Sequence, residues 1–293
     1  MKARYVNPYT DFGFKKLFGE EASKELLRDF LNNLLSEEYQ IAELSLKTTE
    51  ALAESSVDRK AIFDIYCESQ HGDKFIVEMQ KAKIQFFKER TVFYTTFPIR
   101  EQAERGDWDF KLKPVFCIAI LDFVFDEEKR PDNAAYLNKI QLRDEYCNVF
   151  YDKLTYIFIE MPRFNKTEAQ LQTRMDKWLY FLKHLEDFNT IPQILNEPIF
   201  RQGFEVAEIA NFNQQQRDAY EGSLKTYRDL KAVVDTAFGD GETKGKLEGK
   251  LEGKLEGKLE VKFEIALMMK NEGETVEKIM RFTGLSQEEI EQL

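Results

Sequence analysis

Two acidic residues and one amide lie on neighbouring predicted strands, and their types and spacing suit chemistry on a phosphate ester. Asp64 falls in an apolar segment over residues 58–67, and Glu78 and Gln80 end a second segment over residues 74–80. Both segments have the aromatic and β-branched content of strands, and the polar residues between them favour a hairpin. Because side chains alternate along a strand, we expect the hairpin to bring both carboxylates and the amide together near the sheet surface.

Carboxylate oxygens held on rigid strands are typical ligands of a hard divalent cation such as Mg²⁺. A bound ion of this kind activates water and stabilises negative charge on a phosphate. Asp64 and Glu78 therefore predict a metal site that serves hydrolysis. The other interpretation is that both are exposed carboxylates at a strand edge and bind nothing.

Three segments resemble a known family when they are taken in chain order. Asp64, a hairpin and then Glu78-x-Gln80 resemble the active-site signature of the PD-(D/E)XK nuclease superfamily. The closest resemblance is to its recombination-promoting nuclease and transposase-associated branch, in which Gln replaces the usual Lys. Residues 10–19 resemble the opening Asp-x-x-Phe-Lys-x-x-Phe motif of that branch, and the Gly-Lys-Leu-Glu repeat with residues 283–286 resembles its C-terminal tail.

The resemblance implies an α/β fold with a restriction-endonuclease-like core, a mixed central sheet flanked by helices, and a helical C-terminal extension. It also implies a metal-dependent DNA endonuclease linked to recombination or mobile DNA. Asp64, Glu78 and the backbone carbonyl of Met79 are expected to bind Mg²⁺ or Mn²⁺. Gln80 cannot carry positive charge, so it is expected to orient water or substrate by hydrogen bonding. Lys81 is a poor replacement, since strand alternation directs it to the opposite face.

Five further residues are candidates for contact with the substrate: Asp11, Lys15, Lys83, Arg90 and Tyr94. The resemblance places the acidic residue Asp11 near the site, although capping of the N-terminal helix explains it equally well. Lys83 is expected to return to the site if the preceding strand ends near Gln80. Arg90 and Tyr94 lie one helical turn apart on the next helix, where they are suited to phosphate contact or to ordinary surface pairing.

The bulk composition bears on the partners of the protein. The net charge of −11 opposes DNA binding, although a cluster of lysines past the proposed site allows a local basic rim. The three cysteines lack metal-type spacing. The sequence shows no apparent signal peptide and no apolar segment long enough to cross a bilayer. We therefore predict a cytoplasmic protein with no membrane contact. The acidic charge and the missing lysine leave a second hypothesis open, a catalytically weak or inactive nuclease-fold module that acts by oligomerisation and partner binding.

Hydrophobic periodicity predicts the remaining elements. Helices are predicted over residues 22–35, 84–105 and 167–188, and strands over residues 41–47, 113–124, 136–142 and 155–161. Four regions follow: a nuclease core over residues 1–165, a helical completion or subdomain over 166–240, the repeat over 241–262 and a small helical tail over 263–293.

The Gly-Lys-Leu-Glu repeat occurs four times over residues 245–260. Its period of four gives a slowly drifting row of leucines, but each interior glycine costs a helix about 0.8–1 kcal/mol. The segment is therefore either a self-association helix or a linker of variable length. Ser286 and Glu289 after it fit a capping box, and the last helix has no basic residue, so the tail is expected to form a homo-oligomer rather than to recognise bases.

Overall fold

The computed structural model describes residues 3–51, 61–103, 109–125 and 135–293. The chain divides into two units, residues 1–231 and 232–293, and each is described by itself. Within the described ranges, no helix has the combination of length and apolar character that a bilayer crossing requires.

A six-stranded mixed sheet forms the centre of the first unit. The strands are β1 (Leu44–Leu46), β4 (Ile65–Ser69), β5 (Lys74–Gln80), β6 (Val115–Leu121), β7 (Leu137–Arg143) and β8 (Val149–Glu160), and β2 (Glu50–Ala51) pairs separately with β3 (Ala61–Ile62). The order across the sheet is β1-β4-β5-β6-β8-β7. β5, β6 and β8 run parallel to one another, and the other neighbours are antiparallel.

Helices cover both faces of the sheet. In the first unit they are α1 (Asp11–Phe18), α2 (Lys24–Leu34), α3 (Phe87–Arg100), α4 (Arg174–His184) and α5 (Pro198–Ala207), followed by the start of α6 (Gln214–Asn271). The side chains of α1, α2, α4 and α5 share one apolar core with alternate residues of the central strands, and α3 packs on the opposite face. This mixed sheet between helical layers, with a helical C-terminal region, confirms the predicted restriction-endonuclease-like α/β fold.

The strand β6 shows why the two layers form. All seven of its residues are buried, as the continuous apolar sequence predicts for a strand covered on both sides. Ile118 and Ile120 pack into the core beneath α1 and α2, whereas Cys117 and Ala119 face the α3 side. One strand thus supplies apolar surface to both layers.

The N-terminal motif forms a capped helix. Thr10 is the N-cap of α1, and its side-chain oxygen accepts a 3.0 Å hydrogen bond from the Gly13 amide. The same hydroxyl donates to the carbonyl of Asn7 at 2.7 Å. A Cβ atom at Gly13 would lie 2.2 Å from that carbonyl, so the tight turn requires glycine. Capping by Thr10 therefore accounts for the start of α1.

The strand predicted over residues 58–67 is wrong in its extent. β3 ends at Ile62 and β4 begins at Ile65, so the backbone bends at Asp64. The side-chain alternation therefore does not continue across Asp64, and the Ile62 side chain is 59% exposed. Residues 58–60 lie outside the described residues.

In the second unit, the Gly-Lys-Leu-Glu repeat belongs to the long helix α6, which continues to Asn271. The helix predicted from residue 263 is therefore the end of α6. α7 (Val276–Thr283) and α8 (Gln287–Glu291) follow, and Ala266, Ile279, Leu285 and Ile290 form a small apolar core. The capping box of α8 is confirmed, because the Ser286 amide donates to Glu289 at 2.7 Å and the Ser286 hydroxyl accepts from the Glu289 amide.

Candidate active site

Asp64 and Glu78 meet at the open end of the β4–β5 hairpin. Ile65 of β4 pairs with Val77 of β5, and one further step along this antiparallel register places Asp64 opposite Glu78. The Asp64 amide donates a 3.1 Å hydrogen bond to Glu78 Oε1. Asp64 Oδ2 in turn accepts a 2.8 Å hydrogen bond from the Met79 amide. The two predicted ligands are thus neighbours, held by reciprocal contacts.

The backbone of Met79 points toward the acidic pair because of its position in β5. The Gln80 carbonyl accepts from the Asp122 amide at 2.9 Å, on the β6 side of β5. Backbone polar groups alternate in direction along a strand, so those of Met79 point to the other side, where Asp64 lies. The Met79 amide bonds to Asp64, and its carbonyl oxygen is directed toward the same side.

The electrostatics of the carboxylate pair favour a cation. Glu78 is only 4% exposed. Its burial, followed by the negative charge of Asp64, raises the pKa of Glu78 to about 8. Burial also raises the pKa of Asp64, against the opposing hydrogen bond from Met79. Both carboxylates therefore resist ionisation, and a divalent cation would supply further positive charge beside them.

The donor set fits a hard cation with a partly hydrated shell. Asp64 and Glu78 offer carboxylate oxygens, and Met79 offers a carbonyl oxygen. Across the parts of the chain that the structure describes, no group of three His, Cys, Asp or Glu residues is arranged to hold a metal. Mg²⁺ is commonly bound through one or two carboxylates, with waters and substrate phosphates completing its octahedral shell. The residues present are compatible with that mode.

Gln80 is engaged by protein groups at both ends of its amide. Its Oε1 accepts a 3.0 Å hydrogen bond from Arg90 Nη2, and its Nε2 donates to the Ala82 carbonyl at 2.9 Å. Arg90 Nη2 also lies 3.5 Å from Glu78 Oε2. The guanidinium group is stacked 5.2 Å from the centre of the Tyr94 ring. Arg90 therefore joins Gln80 to Glu78, a contact that helical spacing did not predict.

The N-terminal candidates lie close enough to Asp64 to affect it. Asp11 and Lys15 form an ion pair of 2.9 Å one turn apart on α1. The charge of Asp11 acts to raise the pKa of Asp64, and the charges of Lys15 and Lys81 act to lower it. Lys83 is exposed to solvent.

Lys81 directly follows β5, which ends at Gln80, and the face to which its side chain points stays a prediction. Lys81 is half-buried, and this burial lowers its pKa against the raising effect of Asp11 and Asp64. The Lys81 ammonium group therefore belongs to the surroundings of the acidic pair.

Taken together, the mixed sheet between helical layers and the helical C-terminal region define a protein of the restriction-endonuclease-like fold class. The family described as PD-(D/E)XK nuclease family transposase matches residues 8–237, and the chain belongs to that family. Membership indicates a nuclease with a role in mobile DNA, and PD-(D/E)XK nucleases generally use divalent metals. No curated protein and no solved structure matches the chain significantly.

Proposed function

We propose that the protein is a Mg²⁺- or Mn²⁺-dependent endodeoxyribonuclease that hydrolyses phosphodiester bonds during recombination or movement of DNA. The observation that carries the proposal is the contact of Asp64 with Glu78 at the end of β5. Family membership supports the reaction class, and the fit of the oxygen donors supports the metal.

In this mechanism Asp64, Glu78 and the Met79 carbonyl would hold the ion. A bound ion would supply two effects, a lower pKa of a bound water and neutralisation of negative charge on the phosphate. The burial of Glu78 keeps its carboxylate in a low-dielectric setting, where its interaction with a cation is stronger than in water. The hydrogen bond from Met79 fixes the Asp64 carboxylate, so the site is oriented before substrate arrives. The water would attack phosphorus and lose one proton, the bond between phosphorus and one ester oxygen would break, and that oxygen would leave after it gains one proton.

The proposed DNA contacts are positive or aromatic groups around the acidic pair. Lys15, Lys83 and Arg90 supply positive charge, and Tyr94 supplies a ring beside Arg90. Asp11 then acts through Lys15, with which it is paired. This local charge is what allows a chain of net charge −11 to bind a polyanion.

A plasmid-nicking assay in Mg²⁺ or Mn²⁺ tests the proposal with Asp64→Asn and Glu78→Gln. Each substitution is expected to reduce the rate of nicking by at least about 100-fold. Removal of one ligand carboxylate weakens the binding of the metal, which supplies most of the catalysis. Glu68→Gln is the matched control. Glu68 lies on the same hairpin but pairs with Lys74 at 2.8 Å and is expected to be dispensable. Nicking that survives both substitutions would remove the site assignment.

We further propose that a second copy of the chain binds the leucine row of α6, which consists of Leu247, Leu251, Leu255 and Leu259. These side chains are 45–67% exposed. Successive residues of a helix are rotated by about 100° around its axis. The glutamates of the repeat therefore flank the leucine row on one side and the lysines flank it on the other. The glycines lie on the opposite side of the helix. Two such helices packed in parallel place glutamates of one copy beside lysines of the other, whereas antiparallel packing places like charges together.

The second candidate function is a nuclease-fold module that acts only by association. The exposed leucine row is the observation that favours it. Absence of nicking with every divalent metal, together with a dimeric mass, would select this function over the nuclease.

A further inference from the structure

Gln80 occupies the position that follows Glu78-x at the end of β5, so this position carries no lysine. Cleavage of a phosphodiester places additional negative charge on the phosphate in the transition state, and preorganised positive groups stabilise it. The side chain that fills this place comes from another element. Arg90 of α3 brings Nη2 to within 3.0 Å of Gln80 Oε1 and 3.5 Å of Glu78 Oε2.

The surroundings of Arg90 hold its guanidinium group in one place. Its plane is flanked by the rings of Phe87 at 5.9 Å and Tyr94 at 5.2 Å, measured to the ring centres. Phe87 is buried, and the Tyr94 ring packs in turn against Phe63 at 5.2 Å. Stacking of this kind suits the planar guanidinium group, which stays charged at all relevant pH values. The Arg90 side chain is nevertheless 35% exposed, so a phosphate can reach it.

Gln80 is oriented by the same contact. Its Oε1 accepts from Arg90 and its Nε2 donates to Ala82, so its amide is fixed by the protein. Gln80 therefore suits the role of a support for Arg90, whose guanidinium group brings positive charge beside Glu78.

We propose that Arg90 is the residue that supplies positive charge to the scissile phosphate, with Gln80 as its positioning residue. The inference rests on the proposed nuclease function and names the group that replaces the lysine. A purely structural role for Arg90, as an ion-pair partner of Glu78, is the competing explanation.

The test compares four variants with the parent in nicking assays at saturating DNA and Mn²⁺: R90Q, R90K, Q80K combined with R90Q, and R100Q. R100Q is the matched control, because Arg100 lies on the same helix and stacks on Phe97 at 5.6 Å. We expect R90Q to lower kcat by about 100- to 1000-fold, as for loss of one transition-state donor. R90K should retain part of the rate, and R100Q should match the parent.

The double variant separates charge from structure. A lysine at position 80 returns a positive group to the end of β5. The double variant should therefore have a kcat at least about tenfold higher than that of R90Q. Mn²⁺ titration calorimetry and melting temperature are measured on the same proteins. R90Q should bind Mn²⁺ at least as tightly as the parent, because a positive charge near a ligand carboxylate has been removed, and it should melt within a few degrees of the parent.

Three results would overturn the inference: unchanged kcat in R90Q, loss of Mn²⁺ binding in R90Q, or no recovery in the double variant. A parent that nicks DNA, and loses this activity in Glu78→Gln, upholds the proposed function even when Arg90 proves dispensable. A parent inactive with every metal overturns both.

Discussion

The backbone amide of Asp64 donates to the Glu78 carboxylate at 3.1 Å, so Asp64 contributes to the site with its main chain as well as with its side chain. The bend of the backbone at this residue makes the contact possible. A regular strand through Asp64 would direct its amide into the sheet ladder or away from it, and would leave Glu78 without this donor. The irregular backbone is therefore what joins the two acidic side chains.

The contribution of Glu78 to the stability of the metal-free protein is expected to fall as pH rises. Burial raises the folded-state pKa of Glu78 to about 8, so between its ordinary pKa and that value the folded state binds more protons than the unfolded state. The stabilisation that the protonated Glu78 carboxyl provides is complete below the unfolded-state pKa of Glu78, and it is lost as the pH rises through about 8. Glu78 contributes at most about 1.4 kcal/mol per pH unit to this loss.

Glu78→Gln provides the comparison for that prediction, since the amide has a similar shape and no titration. Denaturant unfolding in EDTA at several pH values should give a flatter pH dependence for the variant than for the parent. Added Mn²⁺ should restore stability to the parent above pH 7 and have little effect on the variant. Equal slopes for the two proteins would contradict the burial of an ionisable Glu78.

Asp176 is expected to have the opposite pH dependence. Burial acts to raise its pKa, but hydrogen bonds from Lys166, Thr173 and Tyr136 outweigh it and lower the pKa. The contribution of Asp176 to the free energy of unfolding is therefore present above its unfolded-state pKa, and it is lost as the pH falls below that pKa. Asp176→Asn should cost about 1.5–3 kcal/mol at pH 7 and less at pH 3, measured by urea unfolding. Asp187→Asn, whose side chain is 76% exposed, serves as the control.

Gly13→Ala is expected to destabilise the first unit, because the new methyl group would meet the Asn7 carbonyl at 2.2 Å. We expect a cost of about 1–3 kcal/mol or more in thermal or urea unfolding. Gly222→Ala is the matched substitution within α6, where a Cβ atom meets nothing within 4 Å. It should stabilise by up to about 1 kcal/mol through helix propensity. Equal effects of the two substitutions would show that the close approach at Gly13 is absent.

Replacement of Leu251 and Leu255 by serine is expected to reduce the mass of the full chain in light scattering from a dimer to a monomer. The loss follows from removal of apolar surface, about 1.5–3 kcal/mol for each leucine that is buried in the pair. The control, Gly249→Ala with Gly253→Ala, changes the opposite side of α6 and should leave the mass unchanged. A monomeric parent would exclude association through the leucine row.

Local patterns predicted β5 well, because its apolar run is bounded by a polar turn and ends where the site begins. The same kind of pattern wrongly predicted a continuous strand through Asp64. Apolar and polar residues alternate there in the sequence, but the backbone bends at Asp64. Placement of Arg90 beside Gln80 depends on how α3 packs across the sheet, which no spacing within the helix specifies. The sequence does not specify a continuous helix through the glycine-containing repeat, since helix propensity and hydrophobic periodicity oppose each other there.

The most direct test of the metal site is anomalous scattering from crystals of the parent protein soaked in Mn²⁺. We expect one strong peak bridging the carboxylate oxygens of Asp64 and Glu78, within coordination distance of the Met79 carbonyl, and its loss in Glu78→Gln crystals. Carboxylates that point to separate regions, or a Mn²⁺ peak bound elsewhere with none between these two residues, would contradict it.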